Sequence, residues 1–102
     1  MAQDRLSLQM LLESIIGVGK VYFQPPPNLQ MQFPCIIYNR DSADEKYANN
    51  YLYQHKYKYQ VTVVDRNPDS PIPMQVAYLP LCRYDRFFTA DNLNHDVFTL
   101  FF

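Results

Sequence analysis

Imidazoles, thiols and carboxylates are where this chain could do chemistry, and the first two kinds are few: His55 and His95, Cys35 and Cys82. Nucleophilic catalysis of the Ser-His-Asp or Cys-His kind needs an imidazole within reach of the nucleophile and a third group to orient it. His55 falls in the aromatic register of a long alternating stretch, and His95 opens the last apolar run beside Asp96. Both positions suit a partly buried ring bonded to a neighbour better than a general base. Each cysteine sits in apolar, strand-like surroundings without a Cys or His at metal-ligand spacing, which predicts reduced core thiols. Asp65, Asp69, Asp85, Asp91 and Asp96 are the kind of acids that can hold Mg²⁺ in a nuclease. Asp65, Asp69 and Asp91 fall at turns, however, where the side chain bonds the local backbone, and Asp85 lies among Arg83 and Arg86 as a strand-surface charge pair. Gly17 and Gly19 are the only glycines, so a glycine-rich phosphate loop has nothing to be built from. The expectation is a protein with no catalytic residues, no cofactor and no metal site.

The elements that would position these groups follow from periodicity. Leu8, Leu11, Leu12 and Ile15 keep helical spacing after Asp4, a residue able to cap the first turn, and Gly17 and Gly19 end that helix. Val21 to Phe23 reads as a short strand. Pro25, Pro26 and Pro27 fix three φ angles in the loop that follows, which predicts a stiff, polyproline-like segment. The run from Pro34 to Tyr38 is apolar throughout, as expected of a strand covered on both faces at the sheet centre. Asp41 to Asn50 reads as an exposed loop or hairpin tip. After Asp65-Arg66-Asn67-Pro68, Ser70 is placed to cap a second helix with Pro71 at its first position and Ile72, Val76 and Leu79 facing inward; Pro80 stops it. Leu81–Ala90 and His95–Phe102 then form a terminal hairpin around Asp91-Asn92-Leu93-Asn94. The order α-β-β-β-α-β-β predicts one α+β domain, an antiparallel sheet packed by two helices.

Between these elements lies the clearest pattern in the chain. Tyr51, Tyr53, His55, Tyr57, Tyr59, Val61 and Val63 alternate with residues such as Gln54, Lys56, Lys58 and Gln60, the period of a strand with one aromatic face. Strands usually hold about 5–6 residues, so one this long is expected to overhang the core and to be covered by another subunit, or else by the first helix as a long twisted hairpin. Nine Tyr and seven Phe with no Trp suit either use. A net charge of −1 argues against a protein held to nucleic acid by phosphate contacts. No stretch approaches the roughly 20 apolar residues that span a bilayer, and the N-terminus lacks a secretion signal, so the expected setting is the cytosol without membrane contact.

Phe33-Pro34-Cys35-Ile36-Ile37-Tyr38, the segment Val61-Thr62-Val63-Val64-Asp65-Arg66-Asn67-Pro68-Asp69-Ser70, and Asp91-Asn92-Leu93-Asn94-His95-Asp96-Val97-Phe98 together resemble small tail-completion, or tail-terminator, proteins of long-tailed bacteriophages. The likeness runs from about Leu12 onward. It implies a virion protein of the tail or neck, assembled in the host cytoplasm. Six copies would form a ring on the head-proximal end of the tail tube, bound to the tube protein and to the head-side connector, with DNA passing through the channel without specific binding. Tyr51, Tyr53, Tyr57, Tyr59, Phe101 and Phe102 are the expected subunit contacts, and the loops carrying Pro25, Pro26, Pro27 and Asp44, Glu45, Lys46 are expected to reach axial partners. A head-completion or other minor tail protein, and a small cytosolic regulatory dimer, remain the alternatives.

Overall fold

In the computed structural model, residues 4–41 and 57–102 are described. Helix α1 spans Arg5–Ile16; the Asp4 carboxylate accepts from the Leu6 amide at 3.1 Å and so caps it. Gly17 ends it at φ +117°, a value a side chain would resist. Strands β1 (Val21–Phe23), β2 (Cys35–Arg40) and β3 (Lys58–Asp65) follow, then helix α2 (Ile72–Ala77), and the hairpin of β4 (Cys82–Ala90) and β5 (Leu93–Phe101). The sheet runs β1-β2-β3-β5-β4.

The expected α+β order is the observed one, with corrections that each have a physical cause. The sheet is mixed rather than wholly antiparallel, because β1 and β2 pair in parallel. Parallel neighbours cannot be joined by a tight turn, and residues 24–34, with the prolines, are the crossover. The central strand is β3, while β2 lies between it and the edge strand β1. Pro71 rather than Ser70 occupies the N-cap position of α2 and makes no side-chain cap bond, while the Ser70 hydroxyl accepts from the Ile72 amide at 3.3 Å. The β4–β5 turn is tighter than four residues: Asp91 and Asn92 both take positive φ, 54° and 63°, and Leu93 already belongs to β5. Two such residues in succession make the turn whose twist matches that of the flanking strands.

Register sorts the sheet's side chains onto two faces. On one, Val21, Ile36, Val63 and Asp96 form a row beside the row Phe23, Tyr38, Val61, Phe98 and Tyr84. Leu8 and Leu12 of α1 and Val76 of α2 close over this face to make the core. A polar clamp fastens the layers. The buried Tyr38 hydroxyl donates to Gln9 Oε1 at 2.6 Å and accepts from the Arg5 guanidinium at 2.9 Å, while Gln9 Nε2 donates to the Val21 carbonyl at 3.1 Å. On the opposite face stand Cys35, Val64, His95 and Phe88, next to Tyr22, Ile37, Thr62 and Val97. The crossover loop folds back towards this face, its Gln32 amide donating to the Tyr22 hydroxyl at 3.3 Å.

Candidate protein-interaction surface

Strand β4 is a sheet edge that the described residues leave largely open. Cys82 is half-buried, but every residue from Arg83 to Ala90 is exposed. Helix α1 lies on β1 and β2, and the six-residue α2 touches β4 yet leaves Arg83 to Ala90 exposed. Register assigns Cys82, Tyr84, Phe87 and Thr89 to the helix-side face and Arg83, Arg86, Phe88 and Ala90 to the other. The pattern changes parity at Asp85, an extra residue with no partner in β5, so Tyr84 and Phe87 share a face across a β-bulge.

Three rings make this edge aromatic on both faces: Tyr84, Phe87 and Phe88 are 53%, 52% and 40% exposed. Two of them are held in place. The Tyr84 ring stands edge-on to Phe98 at 5.3 Å between centroids, and its hydroxyl donates to Asp96 Oδ1 at 3.1 Å. Desolvation and the adjacent Asp96 carboxylate push its phenol pKa up. Phe88 stacks on the His95 ring at 4.5 Å and 11° between planes. The Arg86 guanidinium bonds Asp85 at 2.9 Å. Rings fixed in this way lose little freedom when a partner covers them.

A second apolar area lies on the helix layer, where Leu6, Met10, Met74 and Tyr78 are exposed. A shallow groove of about 400 Å³ opens in the same layer, lined by Leu11, Leu79, Leu81, Leu100, Phe101 and Phe102, with Ser7 as its hydroxyl. Its lining carries no titratable side chain.

The residues expected to form the subunit contact are dispersed. Tyr59 is a core residue, 3% exposed, its ring 6.0 Å from that of Tyr38. Its own chain encloses it, so it has no surface to offer a second subunit; burial also pushes its phenol pKa up. Tyr57 is exposed, with the Arg40 guanidinium 3.8 Å above its ring and its backbone paired both ways with Phe102. Phe102 packs partly on the core, and Phe101 is half-buried beside the groove. Pro26 and Pro27 are exposed and Pro25 is half-buried. Tyr51, Tyr53, His55, Asp44, Glu45 and Lys46 lie outside the described residues.

The thiols are on opposite faces of the sheet, Cys35 in the His95 row and Cys82 opposite Leu100. Three strand steps of about 4.8 Å separate β2 from β4, far beyond disulfide reach. Desolvation raises both thiol pKa values to about 11, so neither is a ready nucleophile near neutrality. His95 is committed to Phe88 and to the Leu93 carbonyl, 3.2 Å from Nδ1. Among the described residues, no group of three or more His, Cys, Asp or Glu side chains is placed to hold a metal ion.

The sequence carried a signal for the β4 edge that strand periodicity alone passes over. Arg83-Tyr84-Asp85-Arg86-Phe87-Phe88 mixes charge and aromatic residues without alternating, as a strand open on both faces does. No protein-family model matches the chain, and neither a curated protein nor a solved structure is detectably similar to it.

Proposed function

We propose that this chain is a structural assembly protein of the tail-completion kind, working by contact rather than catalysis. On this reading it sits as a ring at the head-proximal end of a tail tube, with tube protein below and head connector above. The observation that supports an assembly role is β4, an edge strand whose residues from Arg83 to Ala90 are all exposed, with aromatic rings on both faces. An exposed strand edge is a template for another chain, and the charges and the bulge of this one restrict which chain can pair with it. The exposed Met10, Met74 and Tyr78 of the helix layer give the same subunit a second adaptable contact area. The tail-specific part of the reading rests on the resemblance of the three sequence segments.

Purified protein added to tail tubes that lack this component should bind tube ends and make them competent to join heads. Phe87→Ser with Phe88→Ser should keep the native circular dichroism and lose both activities. Failure of the unmodified protein to bind tube ends would reject the tail reading.

A further inference from the structure

We propose that β4 is the self-association strand of the free protein, pairing antiparallel with β4 of a second copy about a two-fold axis that passes between Asp85 and Arg86. This deepens the assembly reading and rests on it, since it names the first partner of the exposed edge.

Register selects the axis. When a strand pairs antiparallel with its own copy about an axis perpendicular to the sheet, helix-side residues must meet helix-side residues. In an unbroken strand, only registers centred on a residue satisfy this. Centring on Arg86 or on Asp85 would then set a like charge against itself. The bulge changes the outcome. Because Asp85 is inserted, the helix-side set is Cys82, Tyr84, Phe87 and Thr89, while Arg83, Arg86 and Phe88 take the other face. The Asp85 carboxylate, bonded to Arg86 at 2.9 Å, lies on the Arg86 side.

With the axis between Asp85 and Arg86, Asp85 meets Arg86 of the second copy and Tyr84 meets its Phe87. Arg83 meets its Phe88, and Cys82 its Thr89. Every pair matches in face. The centre holds two carboxylates and two guanidiniums in alternation, flanked by aromatic pairs and then by cations over rings, the pairings that stabilise neighbouring strands. Moving the axis by one residue step in either direction loses the face match at the centre. A bulge that would spoil this edge for a straight foreign strand is matched by the same bulge running the other way.

A two-fold contact of this kind uses the same patch on both copies and is closed once made. It therefore describes the free protein, in which the pair buries the edge, and a ring on a tube would exchange this contact for a neighbour's.

Charge reversal tests it. The unmodified chain should sediment as a dimer, twice the 12.1 kDa of one chain. Asp85→Arg puts four cations at the axis and Arg86→Asp puts four carboxylates there. Each variant, folded by circular dichroism because both positions are exposed, should dissociate at least roughly 100-fold more readily than the unmodified protein, since facing like charges cost several kcal/mol. Mixed in equal amounts, the two variants should form the dimer again, and so should the double variant Asp85→Arg with Arg86→Asp. An unmodified protein that is monomeric, single variants that stay associated, or a mixture that does not pair would each overturn the proposal. Tail joining is not read in this experiment. A monomer that still completes tails rejects the pairing alone, and a dimer that never enters tails rejects the tail role alone.

Discussion

The Tyr38 hydroxyl donates to Gln9 and accepts from Arg5, so two α1 side chains depend on one group carried by β2. Tyr38→Phe keeps the ring's packing and removes the bond. Gln9 Oε1 then loses its donor in a partly buried setting, and the expected loss is about 1–2 kcal/mol in urea unfolding. A change below experimental error would mean that solvent replaces the bond. Cys35 acts at the same scale through protonation. Burial, then the charge of Asp65, pushes its thiol up to about 11 from the ordinary 9.0. The folded chain therefore keeps a proton that the unfolded chain releases. Stability is complete below the unfolded value and falls as pH climbs from about 9 to about 11, by on the order of 2 kcal/mol for this thiol. Tyr38 and Tyr59, both raised by burial, steepen the same alkaline decline. Urea midpoints at about pH 8 and about pH 10.5 should differ less in Cys35→Ala than in the unmodified chain; an identical difference would remove the thiol from the account.

Among the elements, the β4–β5 hairpin depends most on two residues, Asp91 and Asn92, because both hold positive φ. Replacing each with valine should cost about 1–2 kcal/mol per position, whereas Asn92→Gly should be neutral or stabilising. Equal stability of the valine and glycine variants would show that the turn is not held in this form. Local residue chemistry of this kind is what made most elements legible. Asp4, Gly17 and the Leu8–Leu12 spacing mark α1, and Ile72, Val76 and Leu79 mark the inward face of α2. What stayed hidden depends on strand order. Val21 to Phe23 is too short to carry a sign of its direction, so the parallel pairing of β1 with β2 could not be read from it. Tyr57 and Tyr59 have the same residue type and the same alternation, yet one is exposed and the other buried, because only Tyr59 stands beneath the helix layer beside Tyr38. The open edge was missed for the same reason. Strand periodicity does not say that β5, the last strand in sequence, inserts between β3 and β4 and leaves β4 outermost.

For the whole molecule, that insertion decides which surface is left to other chains. β5 pairs on both sides, with β3 and with β4, so its amides are bonded within the subunit and its Val97, Phe98 and Leu100 are buried. Among the described residues β4 pairs on one side only, with β5, so about half of its amides point away from the sheet. Hydrogen exchange separates these populations. In a monomeric Asp85→Arg variant, β4 amides should alternate between slow positions bonded to β5 and fast outward positions, while β3 and β5 remain slow throughout. In the unmodified protein at a concentration where copies pair, the outward β4 amides should slow, and nothing in β3 should change. Slowing confined to the helix layer around Met10 and Tyr78 would place the contact there instead. Fast outward β4 amides in both forms would mean that this edge pairs with no second copy, and the proposed assembly role would lose the observation that supports it.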